Sequence, residues 1–429
     1  MWRISYRAFR AVGALLYWAN RRLTMAGILV VSGIVISGAV GVDTTLSLAF
    51  QTFSLLLALV AVSILCVPWV RTRVGAEREL PRVATAGEPF TYRLRLTNPG
   101  AGALDGLSAF EDFADPRPSY EAFRAAVRIP TYRAWKRMVA AQRAVHASEQ
   151  PLPALAPRSQ TEIEVHARAL RRGMAHSDGI TVARADPLGL VKALARVPRR
   201  ANLIVLPRRY ALPPFDLPGS RRYQPGGVTL AASVGDSEEF VGLRDYRPGD
   251  PLQHIHWKSF ARAAKPIVKE YQNEYFERHA LVLDTFLSGR DERGFEEAVS
   301  IAASFACTID TRESLLDLMF IGAQAYTHTA GRGQLHAGAL LEILAGVQPC
   351  RDKPFSVLAD AVIARRHALT GCICVLVGWD GERAAFARRL QSHGIACRVV
   401  TVSASPVADR PEWLLVVEPG KVQEGLARL

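Results

Sequence analysis

The chain has 429 residues, which is too long for one compact core and predicts two or three domains. Hydrophobic residues make up 49% and charged residues 22%, which supports globular domains and leaves room for membrane segments, while six cysteines without a C-x-x-C pair exclude a zinc ribbon and suggest reduced thiols. The net charge of +13 suits nucleic acid, anionic lipid or an acidic protein partner.

Residues 1–22 are predicted to be a basic flank on the cytoplasmic side of a membrane. The segment contains five arginines and no acidic residue. It either forms a basic amphipathic helix on the membrane surface or stays disordered, and the sequence leaves both possibilities open. In the first case the interfacial aromatic residues would be Trp2, Tyr6, Phe9, Tyr17 and Trp18.

Two apolar runs in residues 23–70 predict a transmembrane hairpin. No charge interrupts Leu23 to Val42 or Thr44 to Val70, and Asp43 alone separates them. Each run reaches the roughly 20 residues that a membrane helix needs, and a second run of this kind argues against a cleaved signal peptide. Arginines flank both outer ends, so we expect two passes through a bacterial inner membrane with both termini cytoplasmic.

Residues 75–218 are predicted to form a β-sandwich-like domain. Apolar side chains alternate from Phe90 to Leu96, and further strands are expected at Thr161–Ala167 and Leu203–Leu206. An insert at about 113–150 interrupts the strands, with one or two helices over Tyr120–Gln150. The insert either packs on its own domain or lies against the membrane or a partner.

Residues 219–279 contain the most distinctive motifs of the chain. They read E-F-V-G-L-R-D-Y-R-P-G-D over Glu239–Asp250 and H-I-H-W-K-S-F-A-R over His254–Arg262, after an earlier D-P-L-G-L at Asp186–Leu190. These segments resemble the signature of the bacterial family called "domain of unknown function 58". One departure is His256, which stands where many relatives carry Asp, so an essential carboxylate is not expected there.

The resemblance implies a protein without established activity that works beside MoxR-type AAA+ ATPases. It also implies type A domain proteins and transglutaminase-like membrane proteins as partners. Within the signature, charges of alternating sign around Pro248-Gly249 predict bidentate Arg–carboxylate pairs that hold a loop. The alternative is a docking surface anchored by Tyr246 and Trp257, because aromatic residues and Arg concentrate at binding hot spots.

The predicted protein-binding residues all come from the signature. They are Glu239, Phe240, Gly242, Arg244, Asp245, Tyr246, Arg247, Pro248, Gly249, Asp250, His256, Trp257, Lys258 and Arg262. A short helix ending at Pro266 would align Lys258 and Arg262 with Lys265 in a basic stripe, which is either solvated or faces acidic groups.

Alternating strands and helices over 280–429 predict an α/β doubly wound domain. It looks like a von Willebrand factor type A domain, a class that often binds Mg²⁺ through Asp-x-Ser-x-Ser. Here Asp284 and Ser288 match that motif, but Phe286 replaces the middle Ser and cannot coordinate a hard cation. We therefore expect a degenerate site, with no Mg²⁺ and no other cofactor.

No phosphate-binding loop, nucleophile elbow or zinc-protease helix occurs in the sequence. The sequence thus predicts a membrane-anchored, non-enzymatic scaffold or adaptor that binds protein. The alternatives are a Mg²⁺-dependent type A binding module and a peripheral anionic-lipid-binding protein. No specific nucleic-acid partner is expected, because much of the basic charge flanks the hairpin or lies in the insert.

Overall fold

The computed structural model describes residues 2–40, 47–70, 72–219, 238–250, 252–273, 277–287, 292–309, 314–331, 336–407 and 410–429. The chain divides into two compact units. The first unit comprises Met1–Arg209 and Leu341–Val347, and the second comprises Tyr210–Leu340 and Gln348–Leu429.

Three helices open the first unit: α1 (Trp2–Arg22), α2 (Met25–Val40) and α3 (Ser47–Val70). Among the described residues, one helical stretch, Leu48–Val70, is long and apolar enough to cross a membrane. Helix α2 is also apolar, but its 16 residues span only about 24 Å. The structure therefore contains one candidate span where the sequence predicts two, and the predicted turn at Asp43 lies outside the described residues.

Two sheets follow in the first unit. One has the strand order β1-β3-β7-β5 and the other β2-β9-β8-β4-β6. The strands are β1 (Gly75–Glu79), β2 (Val83–Thr85), β3 (Pro89–Thr97), β4 (Leu107–Phe113), β5 (Val145–Ala147), β6 (Gln150–Pro151), β7 (Gln160–Ala169), β8 (Gly173–Ala185) and β9 (Lys192–Leu206). Alternation along β3 buries Leu94 and Leu96 in one hydrophobic core with Ile180 and Leu203 of the other sheet.

The helical insert is shorter than the predicted Tyr120–Gln150. It consists of α4 (Tyr120–Ala126) and α5 (Tyr132–Gln142), and the chain then returns to strands β5 and β6. Ser119 and Thr131 cap the two helices by accepting backbone N–H groups. Aromatic residues of the insert form a cluster with α1, so the insert packs on the amino-terminal helix.

The signature folds as a ribbon rather than a long loop. Strand β10 (Glu238–Asp245) pairs antiparallel with β11 (Ile267–Asn273), and α6 (Trp257–Ala263) lies between them in the chain. The register shifts between Phe240 and Gly242, which marks a β-bulge in β10.

A six-stranded sheet with the order β14-β13-β12-β15-β16-β17 forms the centre of the second unit. Its strands are β12 (Glu277–Leu283), β13 (Ser314–Ile321), β14 (Ala325–Ala330), β15 (Gly371–Val377), β16 (Ala396–Val402) and β17 (Leu414–Val417). The helices are α7 (Glu292–Thr308), α8 (Ala337–Gly346), which belongs in part to each unit, α9 (Ser356–Ala364), α10 (Gly381–Ser392) and α11 (Val422–Leu426).

Five strands of this sheet run parallel, and the edge strand β14 is antiparallel to β13. Helices α9 and α10 share a hydrophobic core with Ala280 and Val282 of β12. Helix α7 packs against β12, β15 and β16 with side chains that lie outside that core. The buried strands account for the continuous apolar runs in the sequence, whereas the antiparallel edge was not predicted.

Candidate docking site

Backbone hydrogen bonds extend the β10–β11 ribbon beyond its paired strands. The Tyr246 N–H donates to the Pro266 carbonyl at 3.0 Å, and the His256 N–H donates to the Ile267 carbonyl at 2.8 Å. Val268 of β11 is buried beneath this arrangement. Both ends of α6 are thus tied to β11, so the signature is presented on hydrogen-bonded structure.

A bidentate ion pair fixes the turn that follows β10. Arg244 Nη1 and Nη2 donate to the two carboxylate oxygens of Asp250 at 2.6 and 2.8 Å. Asp250 also accepts the Arg247 N–H at 2.8 Å, and its own N–H donates to the Arg247 carbonyl at 3.0 Å. Gly249 adopts φ +104°, a value that suits glycine in this turn. Pairing with Arg244 lowers the pKa of Asp250 to about 2.

The second acidic residue of the motif has a separate partner. Lys265 Nζ lies 2.8 Å from Asp245 Oδ2, and both side chains are more than half exposed. Lys265 follows the end of α6 and the left-handed residue Ala264, at φ +52°. The predicted three-residue stripe is therefore wrong, and the basic pair on α6 is Lys258 with Arg262.

His256 begins α6, and its ring contacts the helix. Its Nδ1 lies 2.7 Å from the hydroxyl of Ser259, three residues further along the chain. This contact and the backbone bond to Ile267 assign His256 a positioning role in the signature. A histidine can supply such an orienting contact without a carboxylate.

The signature exposes several apolar side chains. Trp257 is 64% exposed and Leu252 is 68% exposed, while the Trp257 and Phe260 ring centroids lie 6.0 Å apart in an edge-to-face arrangement. Leu243 is also exposed, and Tyr246 is half-buried. We call Leu243, Leu252, Trp257, Lys258, Phe260 and Arg262 the signature surface.

Some predicted site residues are described only through the backbone. Glu239 and Phe240 lie in β10, paired with Gln272 and Tyr271, and Gly242 follows the bulge. Sequence reasoning missed Leu252 and Phe260, since an apolar residue next to charged ones is equally compatible with a core position. Their exposure is the signal that distinguishes them.

The D-P-L-G-L motif lies in the first unit, away from the signature in the chain. Asp186 Oδ1 accepts the N–H groups of Leu190 and Val191 at 2.7 Å each, and Oδ2 accepts the Leu188 N–H at 3.0 Å. Oδ2 also accepts the hydroxyl of Ser63, which is buried in α3, at 2.8 Å. Asp186 therefore closes its own loop and attaches that loop to α3.

The candidate metal position at the end of β12 contains an arginine. Asp284 is fully buried, and its Oδ2 accepts Arg383 Nε at 2.7 Å and the Val377 N–H at 3.0 Å. Oδ1 accepts the Phe286 N–H at 2.9 Å. Burial raises the pKa of Asp284, and pairing with Arg383 opposes that shift. The guanidinium thus supplies the positive charge that a cation would bring.

The remaining features near Asp284 belong to the core. The Phe286 carbonyl accepts Arg383 Nη2 at 3.2 Å, and the Phe286 ring packs edge-to-face on Phe355. Ser288 lies outside the described residues. No group of three or more His, Cys, Asp or Glu side chains suited to a metal occurs among the residues that the structure describes.

Three cysteines lie close together in the same sheet. The Sγ atoms of Cys372 and Cys374 are 3.4 Å apart, and Cys397 pairs in register with Cys372. The hydrogen bond from Cys372, together with burial, raises the pKa of Cys374, and burial raises the pKa of Cys397 to about 11. Both thiols are therefore poor nucleophiles at neutral pH.

Comparison with known proteins identifies the signature and most of the six-stranded sheet. Residues 242–410 match the family described as "Protein of unknown function DUF58". The chain is 27% identical over 176 residues to the "Uncharacterized protein YeaD" of Bacillus subtilis (strain 168). That alignment covers 41% of this chain and 42% of the relative, so the chain spans less than half of the curated protein it matches.

Solved structures give low similarity over the whole chain. Escherichia coli alpha-2-macroglobulin has a TM-score of 0.20 and 18% identity, over 31% of this chain and 7% of that protein. A CARDB domain from Pyrococcus furiosus has a TM-score of 0.19 and 11% identity, over 32% of this chain and 90% of that domain. Neither score supports an argument about fold or function, and the sequence matches carry the assignment: the chain is a DUF58-family protein, recognised over residues 242–410.

Proposed function

We propose that the protein is a membrane-anchored, non-enzymatic adaptor whose signature surface binds a protein partner. The observation that carries the proposal is the exposure of Trp257, beside Phe260, on a helix tied at both ends to β11. Large aromatic side chains presented on ordered backbone are typical binding anchors, because little conformational entropy is lost when they are covered.

The structural alternative is that the charged motif merely holds a turn. The Arg244–Asp250 pair does hold one, but it leaves the apolar members of the signature surface uncovered. Burying one such side chain contributes about 1.5–3 kcal/mol, which the ion pair alone does not use. A partner that covers Trp257 and Phe260 would gain this energy.

Lys258 and Arg262 lie one helical turn apart on α6 and favour an acidic surface on the partner. From the family resemblance, we propose a MoxR-type AAA+ ATPase as that partner. Type A domain proteins and transglutaminase-like membrane proteins are further members of the proposed complex. The adaptor would act in the assembly or maturation of protein complexes.

The anchor in this proposal is the pair α2 and α3, crossing a bacterial inner membrane twice with both chain termini in the cytoplasm. The length and composition of Leu48–Val70 support one crossing. Close packing supports the second: Gly33 faces Leu56, and an added Cβ at Gly33 would lie 3.0 Å from that side chain. A reporter fused to the carboxyl terminus tests the topology, and an external location would contradict it.

The six-stranded sheet serves, in this proposal, as a metal-independent scaffold resembling a type A domain. Engagement of Asp284 by Arg383 disfavours the Mg²⁺-dependent alternative, because a cation would have to displace a buried guanidinium. Calorimetry with Mg²⁺ tests this point. Heat of binding that disappears in Asp284→Ala would restore the metal-dependent alternative.

The partner is tested with the full chain in lipid nanodiscs and the purified MoxR-type ATPase of the same genome. Binding at low salt is expected, and Trp257→Ala should weaken it by about 2 kcal/mol or more, which is roughly thirtyfold in Kd. The matched control is Trp413→Ala, another partly exposed tryptophan of the second unit, at 37%. Absence of binding, or equal loss in both variants, would contradict docking at the signature surface.

A further inference from the structure

Helix α1 has two apolar faces, and the described protein covers one of them. Tyr6 is buried, with its ring centroid 6.1 Å from Phe123 and 5.5 Å from Trp135 of the insert. Elsewhere on the helix, Ile4 is 73% exposed and Leu15 is 63% exposed. Helical spacing places these side chains on one line away from Tyr6. We call this line the outer stripe, which consists of Ile4, Val12, Leu15 and Trp18.

Basic side chains accompany the outer stripe. Helix α1 contains five arginines and no acidic residue, and Arg3, Arg7 and Arg10 are exposed. Residues 120–142 of the insert, which packs on α1, add five basic residues and a single acidic one, Glu121. Exposed insert cations are Arg124, Arg128, Arg133, Lys136 and Arg137. An exposed apolar line with this charge fits an anionic lipid surface.

The carboxyl-terminal end of α1 is fixed where the first apolar helix begins. Leu23 and Thr24 alone separate α1 from α2, and the Thr24 N–H donates to the Leu190 carbonyl at 3.1 Å. Gly27 approaches the same carbonyl so closely that an added Cβ would lie 2.1 Å from its oxygen. In a chain anchored by α2 and α3, this junction lies at the membrane surface, and α1 starts there.

We infer that the outer stripe of α1 lies in the headgroup region of an anionic phospholipid bilayer, with its arginines contacting lipid phosphates. The inference rests on the anchoring part of the proposed function and adds a lipid class and a contact surface. Free phosphate would satisfy the arginines but not the exposed apolar side chains. Continuity with α2 makes a bilayer the occupant rather than an acidic protein.

The test uses the full chain in nanodiscs of phosphatidylcholine, with or without phosphatidylglycerol. Amide hydrogen exchange in α1 should slow by about fivefold or more when the anionic lipid is present, and high salt should reverse the change. Brominated lipid should quench the fluorescence of Trp18, measured as the difference between the natural chain and Trp18→Phe.

Matched variants separate lipid contact from helix stability. Arg3→Gln with Arg7→Gln should abolish the effect of phosphatidylglycerol, whereas Arg388→Gln with Arg389→Gln, the same charge change on exposed residues of α10, should retain it. Near-ultraviolet circular dichroism should be unchanged, because neither pair contributes to the Tyr6 cluster.

The outcomes distinguish this inference from the proposed function. A chain that inserts into nanodiscs but shows the same α1 exchange with both lipids, or unquenched Trp18, overturns the surface contact and leaves the anchored adaptor intact. A chain that fails to insert at all overturns the anchoring, and the lipid contact with it.

Discussion

Two arginine–aspartate pairs in the second unit have similar chemistry in opposite environments. The side chains of Arg383 and Asp284, at the end of β12, are 3% and 0% exposed. Those of Arg244 and Asp250, in the turn after β10, are 31% and 16% exposed. The buried pair replaces a cation inside the sheet, whereas the surface pair shapes a turn beside exposed aromatic residues. The same ion pair can thus serve stability in one region and presentation of a surface in the other.

The largest expected effect is on the buried pair. Arg383→Ala leaves the Asp284 carboxylate buried without its charged partner, so we expect the free energy of unfolding to fall by about 3–5 kcal/mol. Loss of the bond to the Phe286 carbonyl adds to the effect in the same direction. Chemical denaturation of the full chain in detergent, followed by near-ultraviolet circular dichroism, measures the change.

Two controls make the interpretation specific. Arg389→Ala removes an exposed pair with Asp360 on the same helix and should cost at most about 1 kcal/mol. The double variant Asp284→Asn with Arg383→Met should recover part of the stability, because both buried charges are removed together. Equal losses in Arg383→Ala and Arg389→Ala would show that the pair at the end of β12 is not buried in solution.

Local patterns in the sequence predicted much of the sheet structure. Period-two alternation placed a strand where β3 lies, and the apolar run before Asp284 predicted β12. Helical periodicity over Gly294–Thr308 predicted most of α7, which is Glu292–Thr308. Such signals succeed because burial of one face, or of both, constrains neighbouring residues in the chain.

Features that depend on distant residues escaped prediction. Arg383 is 99 positions from Asp284, and no local pattern identifies it as a buried partner rather than a surface residue. The β10–β11 ribbon pairs polar segments separated by a helix, so the charged motif resembled a loop. The antiparallel edge strand β14 has mostly half-exposed residues and lacks the apolar run that identified its neighbours.

Asp186 provides an intermediate case, a buried carboxylate held by N–H and hydroxyl groups instead of arginine. Asp186→Asn keeps the size of the side chain but replaces one accepting oxygen with an amide that donates, so at least one buried contact is lost. We expect a destabilisation of about 1–3 kcal/mol, smaller than for Arg383→Ala. Thermal unfolding in detergent measures it.

Ser63→Ala is the matched variant for the contact with α3. It removes the hydroxyl but keeps all three backbone N–H bonds to Asp186, so it should cost less than Asp186→Asn. If Ser63→Ala were the more destabilising change, attachment to α3 rather than closure of the loop would be the main role of Asp186.

The smallest effect on stability is expected at the surface pair, where the sensitive measurement is a pKa. Arg244→Gln should raise the pKa of Asp250 from about 2 towards its ordinary value of 3.8, because the charged donor is lost. The pKa is depressed in the folded state, so the stabilisation is present above pH 3.8 and is lost as pH falls through about 2. Carboxyl-carbon NMR with labelled aspartate, assigned by Asp250→Asn, follows the titration. Lys265→Gln should leave this pKa in place, since Lys265 pairs with Asp245; an equal shift in both variants would mean that the field of the whole signature, rather than the bidentate pair, holds the turn.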